Sequence, residues 1–475
     1  MSVLQCLPPR QKSNKEWMPP ADLACFLLKI SPCSSNFTHC PRNHLLWEFS
    51  VTLFFMSFPM PSTQISPSFP SFFGNSTPAE LIASYGSPLY VYNERVLRAR
   101  CQEIRNLVKL DAFSVFFSTK SNANPSLLRI IHEEGLMADA MSPGEVALLS
   151  RAGFSRKNIV YVCNNVASDE LAFAAKHASI VSVDSLDQLD VFGSVNPGAP
   201  VMVRVNPGIG AGHHKKVVTA GKETKFGVCP EYFDEMRAII KKHGLSLRGL
   251  NQHVGSLFMD ATPFLEAATW LLSTAEAFPE LDIIDFGGGF GIPYRKSENQ
   301  PRLDLADLGL RFTDLLATWT EKTGYKGRFY IEPGRYIVAE CGMVLGSVNA
   351  VKNNGPTRYV GTDIGFSILA RPMMYDAFHD AEVFPQDDSP REIMPQTIAG
   401  NICESGDILA KDRPLPEVKR GDIIGMHDSG AYGFSMSSNY TQRARPAEVL
   451  ILKNGDVKLV RKRDTVEDLL APYSL

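Results

Sequence analysis

Several features are scarce in this chain of 475 residues. Its nine cysteines are few for the length and widely scattered. No C-x-x-C pair and no Cys/His cluster at zinc spacing occurs, which argues against a disulfide scaffold and a structural zinc site. The odd cysteine count, with no clear secretory signal, points to a reducing cytoplasm. Charge of one sign is also lacking: the formal net charge is −3, with no long run of Lys or Arg. Neither nucleic acid nor an anionic membrane is therefore expected as a partner. A long apolar run is missing too. The stretch from Leu45 to Phe58 is interrupted by Glu48, is too short to span a bilayer and starts too far from Met1 for an ordinary signal peptide.

The first part of the chain has little periodicity. Residues 1–75 are rich in Pro, Ser and Phe and are expected to be a disordered extension, or sequence translated upstream of a start at Met56 or Met60. A transit segment is the lesser reading, because acids are present and a basic amphipathic pattern is not.

Beyond this, 44% of the residues are apolar and 21% charged, as in a soluble globular protein with a large core. From Phe113 onward, short β-branched or apolar runs alternate with stretches of helical spacing. The runs are "FSVFFS" at Phe113, "LMADA" at Leu136, "NIVYVC" at Asn158, "SIVSVD" at Ser179, "PVMVRVN" at Pro200, "LSLRGLNQH" at Leu245, "LDIIDFG" at Leu281 and "RFYIEPG" at Arg328. Several lack polar alternation, as expected where both faces of a parallel sheet are covered. Ser185 with Gln188 reads as a capping box, and Pro230 with Gly244 brackets another helix. Eight strand–helix repeats predict an α/β chain with a (β/α)8 TIM barrel, over 96–338. The dinucleotide fingerprint of the rival open sheet is absent near the first strand. Residues 339–475 predict an all-β C-terminal domain of sandwich or barrel type, with an Asn454-Gly455-Asp456 hairpin turn. Residues 76–95, with "PLYVYN", are expected to add an N-terminal strand to it.

In such a barrel, chemistry collects where the strands end. Here those ends carry Lys120, Asp139, Asn164, Asp184, Asn206, His253, the "GGGFG" run and Glu332. An amine at a barrel mouth can form a Schiff base with an aldehyde if its neutral form is accessible; a surface lysine is the bland alternative. A glycine run lets backbone N–H groups approach a phosphate, although a tight turn explains it equally well. Glu332 could pair with a protonated pyridine nitrogen, or simply with Arg335. His253 could stack on a ring or be a satisfied structural histidine. Together these groups answer the three needs of pyridoxal phosphate: an amine for its aldehyde, a cradle for its phosphate and an acid for its nitrogen.

The motifs "STKSNAN", "DAMSPGE", "TKFG", "QHVGS", "GGGFG", "EPGR", "CESGD" and "GAYGFSMSSNY...RPAEVL" run in this order from about Gly86 to Glu448. With them the chain resembles the diaminopimelate decarboxylases, members of the alanine-racemase-like class of pyridoxal enzymes. The resemblance implies that Lys120 carries pyridoxal 5'-phosphate, that His253 stacks on its ring, and that Ser256, Gly288 and Gly289 contact its phosphate. It implies Glu332 as the ring-nitrogen partner, with Gly334 and Arg335 in the same cofactor- and substrate-binding loop. Arg335, Arg371 and Tyr375 match residues for the distal carboxylate of the substrate, and Tyr432 a tyrosine near phosphate and substrate. Cys403 and Glu404 match a pair brought from a second subunit, so a homodimer is implied; Glu404 would take the distal ammonium. Lys120 or Cys403 is the implied proton donor. The chain departs from the pattern at Ser121, usually Ala, and at "TKFG" and "SPGE". The loop holding His213 and His214 leaves any lid role open. The implied reaction is decarboxylation of meso-diaminopimelate to L-lysine in the cytoplasm. A decarboxylase of ornithine, lysine or arginine type is the alternative, and a non-catalytic regulator of the same fold a lesser one.

Overall fold

The computed structural model describes residues 72–208 and 224–474. The expected extension therefore lies outside the described residues up to position 71, as do His213 and His214. The first strand, β1 (Leu89–Asn93), is wholly buried and precedes the barrel. Eight parallel strands follow: β2 (Phe113–Ser118), β3 (Met137–Ala140), β4 (Ile159–Val162), β5 (Ile180–Val183), β6 (Pro200–Arg204), β7 (Ser246–Asn251), β8 (Ile283–Asp285) and β9 (Arg328–Ile331). They pair in sequence order, and β9 returns to β2 through Phe113 opposite Phe329, closing the ring.

The sequence explains this closure. Successive side chains on a strand face opposite sides, so a strand covered on both needs apolar residues at nearly every position. Phe116, Val160, Ile180, Met202 and Tyr330 form one cluster that fills the barrel. Their neighbours Val115, Phe117, Ile159, Tyr161, Val181, Val201 and Val203 belong to the larger core shared with the helices. Helix ends follow local chemistry. Helices Phe233–His243 and Leu305–Thr323 stop at Gly244 and Gly324, both left-handed. At helix Leu186–Val195, Ser185 Oγ accepts from Gln188 N at 3.2 Å, but the Gln188 amide bonds the backbone of Val166 instead of returning to the cap. Only half of the predicted capping box forms, because a loop backbone competes for that amide.

After β9 come β10 (Gly342–Asn354), β11 (Thr357–Thr362), β12 (Ala381–Phe384), β13 (Ile393–Ala399), β14 (Ile408–Pro416), β15 (Ile423–Met426), β16 (Ala447–Ile451) and β17 (Val457–Arg461). The sheet order is β14-β13-β11-β10-β1-β16-β17, with β15 on β10 and β12 on β15. Thus β1 lies inside this sheet, antiparallel to β10 and parallel to β16. The sheet's loops meet the barrel mouth. Asn122 Nδ2 donates to Gly430 O at 2.9 Å, and Tyr432 N donates to Ser121 O at 2.8 Å. Ser297 N donates to Asp380 Oδ2 at 3.1 Å, and Lys296 Nζ meets Asp428 Oδ1 at 2.7 Å. Among the described residues no helix is long and apolar enough to cross a membrane.

Candidate active site

Lys120 stands in a single 3-10 turn just after β2. Its side chain is 39% exposed, so a ligand can reach the amine. Nζ donates to Ser118 Oγ at 2.6 Å and lies 3.4 Å from Asp139 Oδ2. Burial among protein atoms disfavours the ammonium, but Asp139, Tyr432, Glu332 and Glu145 outweigh it and raise the amine above its ordinary value. The resting lysine is therefore an ammonium, and it must shed its proton before attacking an aldehyde. Ser121, the departure from the family pattern, turns its hydroxyl to Ser118 O at 2.7 Å.

Glu332 is buried at the end of β9 and shares its environment with Lys120. Its pKa is raised by burial first, then by Asp285 and Asp139, while Lys120 acts the other way. Asp285 is raised as well, mainly by burial, with Gly287 N donating to its Oδ1 at 2.9 Å. Glu332 Oε1 and Asp285 Oδ2 are both buried and accept from no N–H or hydroxyl donor among the described residues; the two carboxyls meet each other, an interaction that raises Glu332 and lowers Asp285. A buried carboxyl pair with no outside donor at these two oxygens has room for one, and a protonated ring nitrogen would supply it. No Glu332–Arg335 ion pair forms among the described residues. Arg335 instead donates from Nη1 to Tyr294 Oη at 2.8 Å and from Nη2 to Ser256 Oγ at 3.0 Å, and Nε has no partner among the described residues.

Gly288 N donates to His253 Nδ1 at 3.0 Å. That bond makes Nδ1 the acceptor, so the proton of the neutral ring sits on Nε2. Burial, then the charges of Arg204 and Lys120, hold His253 well below the usual histidine range. The glycine run is required by backbone crowding. A Cβ on Gly288 would sit 2.1 Å from Glu332 O, and one on Gly289, at φ +110°, 2.3 Å from Gly255 O. The loops after β7, β8 and β9 thus meet as bare backbone, a surface suited to a phosphate. An amine, a buried carboxyl pair without an outside donor at those oxygens and a glycine-lined wall at one mouth fit pyridoxal phosphate.

Beside this wall stand two buried arginines. Arg371 is 2% exposed and Arg335 7%. The Arg371 guanidinium lies 4.7 Å from the Tyr294 ring centroid, and Arg335 lies 5.6 Å from the same ring and 5.0 Å from that of Tyr432. Tyr375 is near enough to act electrostatically on Arg335. Among the described residues no carboxylate pairs with either guanidinium. Tyr432 is held at φ 57°, a left-handed conformation unusual for a tyrosine. Gly334 packs against Ser118 and Ser121, where a Cβ would come within 2.9 Å of Ser118 Cβ.

Cys403 and Glu404 are not brought to this mouth by a single chain. Cys403 is exposed and lines a separate groove of about 640 Å³ with Ser87, Asp363, Asn401 and Arg443. Glu404 accepts from Gly406 N at 3.2 Å on the same exposed loop. Conversely, the places of Arg204, Asp285 and Tyr294 at this mouth were not legible in the sequence. Asp285 stands two residues before the glycine run at Gly287, within reach of that motif; Tyr294 carried no motif signal.

The comparisons agree with this geometry. Residues 94–339 match the family described as pyridoxal-dependent decarboxylase, pyridoxal binding domain. A diaminopimelate decarboxylase of Methanothermobacter thermautotrophicus is 39% identical over 84% of this chain and 94% of its own. That of Escherichia coli K12 is 34% identical over 82% of this chain and 94% of its own. The crystal structure of the Helicobacter pylori diaminopimelate decarboxylase complexed with L-lysine superposes with a TM-score of 0.76 at 29% identity, covering 83% of this chain and 99% of that one. Sequence likeness thus spans both the barrel that carries Lys120 and the sheet that carries Tyr432, and the chain belongs to the diaminopimelate decarboxylase family of pyridoxal-dependent decarboxylases.

Proposed function

We infer that this chain removes one carboxylate of meso-diaminopimelate, releasing carbon dioxide and L-lysine. The observation that carries the choice of substrate is the pair of buried guanidiniums, Arg335 and Arg371, with no carboxylate of their own among the described residues. Uncompensated buried cations are costly, and an anionic ligand offsets that cost. A diamino acid with a second carboxylate supplies the anion; a simple diamine end does not, and would favour acids at this place.

Pyridoxal phosphate, when bound, supplies the electron sink for the pair left on carbon as carbon dioxide departs. The protein's residues do the rest. Lys120 offers the amine and passes its proton towards Ser118 Oγ and Asp139 Oδ2. Glu332, raised by burial and by its Asp285 neighbour, holds or hands over a proton at its carboxyl. His253, neutral and fixed by Gly288 N, would lie against the cofactor ring. Ser256, Gly289 and Tyr432 would hold the phosphate end; Gly288 acts through His253, since its N–H is already engaged. Gly334 gives the Arg335 loop its close approach to Lys120. Arg335, Arg371 and Tyr375 hold the distal carboxylate, so the other end of the substrate is the one presented to Lys120.

Cys403 and Glu404 are exposed and serve the site of a second copy in a homodimer, with Glu404 facing the distal ammonium. The direct test is carbon dioxide release from diaminopimelate isomers with and without pyridoxal phosphate. Lys120→Ala should lose turnover and the absorbance of bound cofactor, and normal turnover by this variant would refute the assignment. Mixing inactive Lys120→Ala with inactive Cys403→Ala subunits should restore part of the activity; a fully active monomer would refute the shared site.

A further inference from the structure

We propose that His379 is a positioning residue for substrate selection: it holds Arg371 through an uncharged acceptor, so that the guanidinium is fixed in place yet keeps its full attraction for a distal carboxylate. This deepens the reading of Arg371 given above and rests on it. Arg371 opens the short helix Arg371–Tyr375, and His379, 0% exposed, follows eight residues later. Arg371 Nη1 lies 2.7 Å from His379 Nε2, and His379 Nδ1 lies 2.7 Å from His427 O.

These two distances settle the tautomer. A carbonyl oxygen only accepts, so Nδ1 carries the proton, and a guanidinium only donates, so Nε2 must present its lone pair. An imidazolium would point a second N–H at a cation. Consistently, burial, and then the Arg371 charge, keep the imidazole well below its ordinary value. The common way to fix a buried arginine is a carboxylate, which also cancels its charge. Here the partners are an imidazole and the Tyr294 hydroxyl, neither of them an acid, so the charge is left whole, and Arg335 beside it repels rather than neutralises. Burial, the larger effect, lowers Arg371 to about 10, which still leaves it charged at neutral pH.

The anchor of this relay is backbone. His427 N donates to Asp380 O at 2.9 Å, and the same segment runs on through Asp428 to Tyr432. The His379 ring also meets the Tyr294 ring edge-on, with centroids 5.3 Å apart, and Tyr294 carries Arg371 on its face. Rotation of the guanidinium away from the substrate would break both contacts.

The experiment uses the full chain loaded with pyridoxal phosphate. KM and kcat are measured for meso-diaminopimelate. Inhibition constants are measured for L-lysine, which retains the distal carboxylate, and for 1,5-diaminopentane, which lacks it. His379→Glu should raise the KM for diaminopimelate and the inhibition constant for L-lysine at least about tenfold, the effect of losing one charge-assisted contact. Diaminopentane inhibition and the cofactor absorbance should stay within about twofold. His379→Gln, whose amide can accept from Arg371 and donate to His427 O, should recover most of the loss. His379→Leu supplies the same reading without a buried charge if the glutamate variant fails to fold. Equal losses for all three ligands, or none in either variant, would overturn the role of His379. Arg371→Met separates the two ideas. It should mimic His379→Glu; an effect in Arg371→Met alone overturns only the His379 inference, whereas none in Arg371→Met overturns the reading beneath it.

Discussion

Glu340, between barrel and sheet, is the place where one charge should matter most for stability. Its side chain is 6% exposed and faces Arg302 at 2.6 Å, Arg100 at 3.0 Å and Lys296 at 3.1 Å, while Lys296 also meets Asp428 at 2.7 Å. Burial opposes its charge, but the Arg302 hydrogen bonds, Lys296 and Arg100 outweigh burial and bring the carboxyl from 4.5 down to about 2. A change of that size corresponds to roughly 3 kcal/mol of folding free energy. Breaking one partner out of a buried ion cluster gives a similar figure, about 3–5 kcal/mol. Glu340→Gln keeps the shape and removes the charge, so it should lower the midpoint of thermal unfolding by about 5 °C at pH 7. The folded-state pKa lies below the unfolded one, so this contribution is complete above about pH 5 and fades as pH falls towards 2. By pH 4 about 1 kcal/mol of the gap between wild type and variant should be gone. Calorimetry of both proteins at pH 7 and pH 4 reads this directly. Equal midpoints at pH 7, or a gap that widens on acidification, would refute the reasoning.

Three further outcomes are expected. Glu332→Gln has no carboxyl proton to hold or hand over and should lower kcat at saturating cofactor by about a hundredfold or more, with a small change in KM; steady-state kinetics decide. Glu145, accepting from Met141 N at 2.8 Å, is pushed up to about 7 by burial and by Asp139, against Lys120 and that N–H. Its folded pKa exceeds the unfolded one, so wild type should lose stability relative to Glu145→Gln as pH rises from 5 through 7; unfolding midpoints at pH 5 and pH 8 that differ by the same amount would contradict this. Gly289→Ala places a Cβ 2.3 Å from Gly255 O and should weaken pyridoxal phosphate binding at least about tenfold, measured by titration of the cofactor absorbance.

Much of the barrel was legible because its signals are local. Each of the eight apolar runs became a strand, from β2 at Phe113 to β9 at Arg328. A strand's end is where the chain leaves the ring, so Lys120 and Glu332 could be placed at the mouth from sequence position alone. The hairpin at Asn454–Asp456 was readable for the same reason: its turn chemistry is contained in three residues. The half-formed capping box at Ser185 shows the limit, since a local pattern lost to the Val166 backbone.

By itself, then, the sequence determined the closed ring of strands, the amine and acid at its mouth, and the glycine run between them. Each depends on periodicity, or on residues close together in the chain. Only the tertiary structure decided that Glu332 is backed by Asp285, that Gly288 orients His253, and that Arg371 rests on His379 rather than on an acid. It also decided that burial does not free the Lys120 amine of its proton, because Asp139 and its neighbours outweigh it, and that Glu340 gathers three cations. The physical reason is shared. A pKa and a hydrogen-bond partner are set by what lies within a few ångströms, and here those neighbours come from segments that meet only when the sheet closes over the barrel.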